Sequence, residues 1–131
     1  MKWYSPVICG HVGFVAEQLG EYFLEFCVIS RRQTMRAGTR LNVRGIDDHG
    51  HVANYVETEQ ILKIGDEIYS HVITRGSVPI FWAQNGKGTS KLMEDVIITR
   101  STEMTREAFT KHFSEMIADY KEVFCVDLLQ D

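Results

Sequence analysis

The hydrophobic and polar positions predict that the chain starts with a β-hairpin. Residues 5–16 form a short apolar run with two glycines, which predicts a strand with a bulge or a close backbone approach at Gly10 or Gly13. Residues 18–21 have the composition of a turn, and residues 22–30 are mostly apolar on both faces. Such a strand is typical of the middle of a sheet, so we expect a central strand paired antiparallel with the first.

The middle of the chain predicts an antiparallel meander. The apolar positions in residues 31–39 recur at no regular spacing, which predicts a loop. Four β-like segments follow, at residues 40–46, 52–64, 67–74 and 77–83. The aspartates and glycine of residues 47–50 and the Gly-Asp pair at 65–66 suit turns, whereas Pro79 suits a strand start or a sheet edge. The pattern therefore predicts consecutive antiparallel strands over residues 40–83.

The last third of the chain predicts a loop, a short strand and a helix. Residues 85–90 suit a flexible loop, and residues 96–99 suit a strand. Ser101 or Thr102 can cap a helix that runs to about Lys121. The apolar residues of this helix share one face and are Phe109, Phe113, Met116, Ile117 and Tyr120.

The order of these elements predicts a mixed α/β fold. Residues 123–129 are apolar except for Asp127 and predict a buried strand after the helix. The whole is then an antiparallel meander of about four to six strands followed by a helix–strand unit. Since a layered α/β sheet would normally continue, we expect an incomplete portion of one domain. Its parts are a β-rich part with the arginine block (1–83), a loop with a short strand (84–101) and the helix–strand unit (102–131).

Length and composition fit one packed domain. Of the 131 residues, 44% are hydrophobic and 11% aromatic, which excludes a disordered protein. No apolar run approaches the roughly eighteen residues that a membrane span needs, and the start does not resemble a signal peptide. Cys9, Cys27 and Cys125 each lie in an apolar run without disulfide or zinc-site spacing, which predicts reduced, buried thiols in the cytosol.

Charge is unevenly placed along the chain. The formal net charge is -4, yet residues 26–46 contain five arginines and no acid. These arginines are Arg31, Arg32, Arg36, Arg40 and Arg44. Their planar guanidinium groups suit pairs of phosphate oxygens, so the cluster could bind a polyanion. The other interpretation is a solvated or salt-bridged strand edge, in which Glu57 and Glu59 pair with arginines across the sheet.

The other polar residues indicate no catalytic centre. Glu57 and Glu59 share a face of a predicted strand, which permits acid–base chemistry but favours a structural role opposite the arginines. His49 and His51 could bind a metal, although a turn explains the same residues without one. A cysteine phosphatase needs an arginine six residues after its nucleophile, and none of the three cysteines has one.

Three separate blocks of the chain form one ordered pattern. The first is Arg-Arg-x-x-x-Arg-Ala-Gly-x-Arg-x-x-x-Arg-Gly-Ile-Asp, the second is Gly-His-Val-Ala-Asn-Tyr-Val-Glu-Thr-Glu-Gln, and the third is Thr-Arg-Gly-Ser-Val-Pro-Ile-Phe-Trp. In order and spacing they closely resemble the Sac-type phosphoinositide phosphatases. Residues 3–13 and 103–129 also look like the matching parts of that domain, so the resemblance covers nearly the whole chain.

The resemblance implies a lipid phosphatase that acts on phosphatidylinositol phosphates, chiefly phosphatidylinositol 4-phosphate. Enzymes of this family use a Cys-x5-Arg loop, form a cysteinyl-phosphate intermediate, and need no metal or other cofactor. In the family that loop lies C-terminal to the helix–strand unit. We therefore expect these residues to be the middle of a Sac domain, with no catalytic residue and no activity alone. The alternative is a non-catalytic module that binds phosphoinositides or a protein.

The resemblance also implies a place and a partner. We expect a cytoplasmic chain, peripheral on eukaryotic endomembranes, that contacts phosphoinositide head groups at a membrane surface and no nucleic acid. Arg36, Arg44 and Arg75 are the expected substrate-binding residues, because each precedes an alanine or a glycine, where backbone can come close to an anion. Asn54 is a further candidate. Tyr55 and Trp82 suit the core better than a ligand site.

Overall fold

The computed structural model describes residues 9–38, 42–85 and 95–128. Within these ranges the chain forms a four-stranded antiparallel sheet, a two-stranded antiparallel sheet and one helix, which confirms the mixed α/β fold. The elements are β1 (Gly10–Leu19), β2 (Tyr22–Arg32), β3 (Val56–Ile64), β4 (Glu67–Arg75), β5 (Trp82–Asn85), β6 (Asp95–Ile98) and α1 (Thr102–Tyr120). The predicted strand start at 5–8 and most of the predicted loop at 85–90 lie outside the described residues.

The large sheet has the strand order β1-β2-β3-β4. The predicted hairpin is confirmed, and β2 lies between β1 and β3 as expected for a central strand. Gly20 and Gly65 occupy the two hairpin turns at φ 61° and 59°, angles that favour glycine. Pairing of β1 is uninterrupted, so of the two predicted alternatives the strand shows no bulge. The close approach does occur at Gly10, where a Cβ would lie 1.7 Å from the Ser30 carbonyl oxygen.

The two faces of this sheet carry different polar groups. Residues directly opposite each other on neighbouring strands project from the same face, and the face alternates along each strand. Arg31, Glu57 and Glu59 share one face, which we name the Glu57 face. Arg32 and Arg75 share the other, which we name the Arg75 face. The arginines at the end of the sheet are therefore divided between opposite sides.

The first part of the predicted meander is wrong. Residues 42–45 form no strand, and Ile46 makes only an isolated bridge to Val52. β3 begins at Val56 rather than at residue 52, because Asn54 adopts a φ of 58° that interrupts the extended backbone. The described residues between β2 and β3 therefore form a loop that folds back on itself.

The predicted last strand of the meander is also wrong. Residues 77–81 are irregular, and β5 begins only at Trp82 and pairs with β6 instead of β4. The amide of Ser77 donates to the Ala53 carbonyl at 2.9 Å, and Pro79 has no amide proton to donate. This segment is therefore hydrogen-bonded to the loop before β3 and does not continue the pairing of β4 in the sheet.

A small core lies between the helix and the loops, outside the large sheet. Its buried apolar residues are Ile46, Val52, Ala53, Phe81 and Ala108. Tyr55 packs against this core, as predicted. The helix begins as predicted after Ser101, whose side chain accepts a hydrogen bond from the Met104 amide. The helix is thus fixed against the loop that contains the arginines.

The helix buries a face that only partly matches the predicted one, since Phe113, Met116 and Tyr120 are half-buried. Its buried residues are Thr105, Ala108 and His112. Phe109 and Ile117, on the predicted apolar face, are exposed. The reason is a close approach by Gly50, at which a Cβ would lie 2.9 Å from the His112 amide nitrogen. Small residues permit that approach, and a hydrophobicity pattern does not identify them.

The segment after the helix is not the predicted buried strand. Residues 123–128 are irregular, and Phe124 is 89% exposed, with Val126 and Leu128 similarly exposed. Within the described ranges no strand pairs with this segment. Its apolar side chains consequently pack against no strand that the structure describes.

The thiols are more accessible than predicted. Cys9 and Cys125 are exposed, so the prediction of buried thiols is wrong for these two cysteines, whereas Cys27 is half-buried. Apolar neighbours in the sequence do not bury a thiol where the segment lies outside the core. No helix in the described ranges is long and apolar enough to span a membrane.

Candidate functional site

The described arginines of the cluster lie where β2 ends and the following loop folds back. Arg31 and Arg32 are the last residues of β2, and Arg36 and Arg44 lie in the loop. Arg40 lies outside the described residues. β3 runs back beside β2, with Val56 opposite Arg32. The fold therefore gathers the four described arginines of the cluster at one end of the sheet.

Arg31 is bound by the acids of the neighbouring strand. Its Nη2 donates to Glu57 at 2.6 Å and to Glu59 at 2.9 Å. The hydrogen bond that Arg31 donates to Glu57 raises the pKa of Arg31. The hydroxyl of Tyr120 donates to the second oxygen of Glu57. The salt-bridged interpretation is confirmed for this arginine, and both carboxylates have the structural role opposite it.

Arg32 and Asn54 tie the loop to the end of the sheet. Nη2 of Arg32 donates to the Gly38 carbonyl at 2.5 Å and lies 3.4 Å from Oδ1 of Asn54. The amide of Asn54 donates in turn to the Val43 carbonyl at 3.1 Å. Asparagine tolerates the left-handed backbone at this position better than most residues. Asn54 therefore holds the strand start and the arginine loop together.

Arg36 and Arg44 are joined through the same loop backbone. Nη2 of Arg36 donates to the Arg44 carbonyl at 3.0 Å, and its Nη1 lies 3.8 Å from the Asp47 carboxylate. Nε of Arg36 is buried and has no hydrogen-bond partner among the described residues. Nε of Arg44 donates to Gln84 at 3.0 Å, and its guanidinium lies 5.8 Å from the Trp82 ring centre. Three predicted site residues, Arg36, Arg44 and Asn54, thus converge on residues 43–44.

Arg75 differs from these because its side chain is exposed. It is the last residue of β4, opposite Val56 and in the same row of the sheet as Arg32. Its side chain forms no hydrogen bond or ion pair with the residues that the structure describes. The next residues return to the loop, where the Ser77 amide reaches Ala53. The fourth predicted site residue is therefore beside the cluster and faces solvent.

Residues 47–50 form the predicted turn. One oxygen of the Asp47 carboxylate accepts from the amides of His49 at 3.0 Å and His51 at 2.9 Å, which confirms the turn chemistry. Asp48 forms an ion pair with Arg100, and this hydrogen bond lowers the pKa of Asp48. Within the described ranges no group of three or more histidine, cysteine or carboxylate side chains is arranged for a metal ion.

Arg100 and His112 make contacts that could not be predicted from the sequence. The guanidinium of Arg100 lies 3.8 Å from the centre of the Phe81 ring. Nδ1 of His112 donates to the Gly50 carbonyl at 3.0 Å, and burial lowers the pKa of this histidine. Both residues join parts of the chain about fifty or more positions apart. No local spacing indicates such partners.

A cavity of about 240 Å³ adjoins the cluster on its Glu57 side. Arg31, Glu57, Tyr55, His112 and Tyr120 contribute to its lining. Burial, followed by the bond to Glu57, raises the pKa of Tyr120, so its hydroxyl stays protonated as a donor. The lining contains acids as well as arginines, so it does not present a purely cationic surface to an anion.

Comparison with known proteins identifies the family. The model of the SacI homology domain matches residues 1–131. The chain belongs to the SacI homology domain family. Its Sac-type resemblance is therefore confirmed across all three motif blocks.

Several curated eukaryotic proteins share this portion of the SacI homology domain. The chain is 44% identical over 128 residues to Inositol-1,4,5-trisphosphate 5-phosphatase 1 of Schizosaccharomyces pombe, covering 98% of the chain and 12% of the relative. It is 39% identical over 127 residues to human Synaptojanin-1, covering 97% and 8%. It is 45% identical over 125 residues to Polyphosphatidylinositol phosphatase INP53 of Saccharomyces cerevisiae, covering 95% and 11%. The chain thus spans only about a tenth of these relatives' length.

Proposed function

We propose that this chain takes part in the dephosphorylation of phosphatidylinositol phosphates, chiefly phosphatidylinositol 4-phosphate. The observation that carries the proposal is the SacI homology domain match over residues 1–131. A relative with 45% identity is named a polyphosphatidylinositol phosphatase, which supports the substrate class. We place the chain in the cytoplasm, peripheral on endomembranes, where such lipids present their head groups.

In this proposal the chain supplies anion-binding groups and no nucleophile. None of its cysteines is followed six residues later by arginine, as a cysteinyl-phosphate mechanism requires. The 131 residues alone should therefore release no phosphate. The proposed head-group contacts are Arg36, Arg44, Arg75 and Asn54. Support comes from the exposed guanidinium of Arg75 and from the buried Nε of Arg36, which lacks a hydrogen-bond partner among the described residues.

A chimeric enzyme tests this function directly. The matching 125-residue segment of Polyphosphatidylinositol phosphatase INP53 is replaced by this chain. We expect the purified chimera to release inorganic phosphate from phosphatidylinositol 4-phosphate. Arg36→Ala with Arg44→Ala should lower that rate, whereas Arg106→Ala, on the exposed side of α1, should not. A folded chimera without phosphate release would overturn the proposal, as would an unaffected double variant.

The second candidate is a non-catalytic phosphoinositide- or protein-binding module. The exposed Arg75 favours it, since a cation with no ion pair in the described chain remains available to an anion. Calorimetric titration of the 131-residue chain with soluble, short-chain phosphatidylinositol 4-phosphate tests this binding without a bilayer. We expect weaker binding after Arg36→Ala with Arg44→Ala. Equal binding of unphosphorylated, short-chain phosphatidylinositol would contradict head-group recognition.

A further inference from the structure

The Arg75 face of the large sheet is polarised along its strands. One end carries Arg32 and Arg75 in one row, and the next row carries His11, Ser30 and Thr58. Ser30 and Thr58 share a hydrogen bond at 3.0 Å. This end therefore presents guanidinium, imidazole and hydroxyl groups together.

Acids on the Arg75 face lie at its opposite end. Glu17 and Glu67 lie in the same row of directly opposite residues. Of the rows on this face that contain a residue from each of the four strands, it is the one farthest from Arg75. The acids nearest to the arginines are Glu57 and Glu59, which project from the other face and bind Arg31. The cationic end of the Arg75 face is thus not neutralised by its own strands.

Exposed apolar residues lie between these two ends. Val15 and Tyr69 are the outer members of one row across the sheet, and Ile73 lies nearer to Arg75. All three are exposed. Within the described ranges neither α1 nor the small sheet brings its backbone into contact with these strands. The hydroxyl of Tyr69 donates to Glu67 in the neighbouring acidic row. The face therefore combines a cationic end, exposed apolar surface that includes a tyrosine, and an acidic end.

We propose that the Arg75 face docks on an anionic lipid bilayer, with Arg75 against the lipid phosphates and Val15 and Tyr69 at the boundary of the acyl chains. This docking rests on the proposed function, in which the substrate is a membrane lipid. It adds which surface of the chain contacts the membrane. Charge complementarity supports a bilayer, because a basic end is attracted to anionic lipid head groups. The exposed apolar side chains on the same face favour a bilayer over an acidic protein as the partner. Tyrosine is also a residue that suits the membrane–water boundary.

Vesicle sedimentation of the 131-residue chain tests the docking. We expect binding to phosphatidylcholine vesicles that contain phosphatidylserine, little binding to phosphatidylcholine alone, and loss of binding in roughly 1 M salt, where charges are strongly screened. Arg75→Ala should weaken binding by roughly fivefold, the effect of one basic residue near an anionic surface. The control Arg106→Ala removes an exposed arginine of α1 and should leave binding unchanged.

A matched pair on β1 tests which face is used. Val15 and Val12 are both exposed valines of the same strand and project from opposite faces. Val15→Ser should weaken vesicle binding by about fourfold, equivalent to one methylene withdrawn from the bilayer. Val12→Ser should have no effect. Equal effects of the two substitutions, or no effect of Arg75→Ala, would overturn the docking surface. Circular dichroism and urea unfolding verify that each variant is folded.

The outcome separates docking from head-group recognition. Val15→Ser should leave binding of soluble, short-chain phosphatidylinositol 4-phosphate unchanged, since no bilayer is present. A chain that binds phosphatidylserine vesicles but not the soluble lipid supports docking and contradicts head-group recognition. A chain that binds the soluble lipid but no anionic vesicle contradicts docking and leaves head-group recognition intact.

Discussion

Arg31 lies directly opposite Glu57 in the large sheet, and its guanidinium donates to that carboxylate at 2.6 Å. The other oxygen of Glu57 accepts a hydrogen bond from Tyr120 near the end of α1. One carboxylate thus joins the central strands of the sheet to the helix. Because these groups are committed to one another, Arg31 is part of the scaffold that positions the neighbouring arginines.

We expect the Arg31–Glu57 pair to contribute modestly to stability. The side chains are 42% and 26% exposed, so solvent weakens the attraction, and coupling of about 0.5–1 kcal/mol is expected. A double-mutant cycle with Arg31→Ala and Glu57→Gln, followed by urea unfolding, measures this coupling. Arg106→Ala is the control and should change the free energy of unfolding by less than about 0.5 kcal/mol. Strictly additive effects of the two substitutions would contradict the coupling.

Gly50 should tolerate alanine far less well than Gly65. Both glycines have positive φ, 93° and 59°, so alanine costs about 1–2 kcal/mol of backbone strain at either position. A Cβ at Gly50 would also lie 2.9 Å from the His112 amide, whereas nothing lies within 4 Å at Gly65. Gly50→Ala should therefore lower the free energy of unfolding by at least about 1 kcal/mol more than Gly65→Ala, as measured in urea. Equal losses would show that α1 does not pack as closely against this turn as described.

The hairpins could be predicted from local sequence patterns, because residues close together in the sequence determine their turns and strands. The turns at Gly20 and Gly65 have short-range signals, and the strands beside them alternate or are continuously apolar. The Ser101 cap is also encoded within a few residues. The failures occur where distant segments decide. Residues 77–81 leave the sheet because of a bond to Ala53, which no local period indicates.

The candidate site was only partly predictable for the same reason. The sequence identified the arginines and the acids opposite them, and the Arg31 pairing follows from strand register. It did not reveal that Arg36 would donate to the Arg44 carbonyl or that Asn54 would join the loop to β3. These bonds depend on how the loop closes. The division of Arg31 and Arg75 between opposite faces likewise needs the register of all four strands.

Stability should fall as the medium is acidified, through His112. Burial lowers the folded-state pKa of this histidine below its ordinary 6.5, and Glu115 and His51 oppose each other in modifying the effect. The unfolded chain then binds the proton more readily, so the stabilisation is present above pH 6.5 and is lost as pH falls toward the folded-state pKa. Urea unfolding at about pH 7.5 and pH 5.5 should show this decrease.

The variant His112→Gln identifies the group responsible. A glutamine amide can donate to the Gly50 carbonyl but does not titrate in this range, so the decrease between the two pH values should become smaller. His71→Gln, which replaces an exposed histidine on β4, is the matched control. An undiminished decrease in His112→Gln would assign the effect to another group.

Ile46 and Phe124 distinguish the observed core from the one that hydrophobicity predicts. Ile46 is 1% exposed in the loop core, whereas Phe124 is 89% exposed after α1. Ile46→Ala should lower the free energy of unfolding by about 2–5 kcal/mol, because it removes buried methyl groups and leaves a cavity. Phe124→Ser should change it by less than about 0.5 kcal/mol. Urea unfolding of the 131-residue chain measures both variants. A large loss in Phe124→Ser would mean that residues 123–128 are buried in solution, as the sequence pattern predicts, because an exposed ring cannot contribute that much stability.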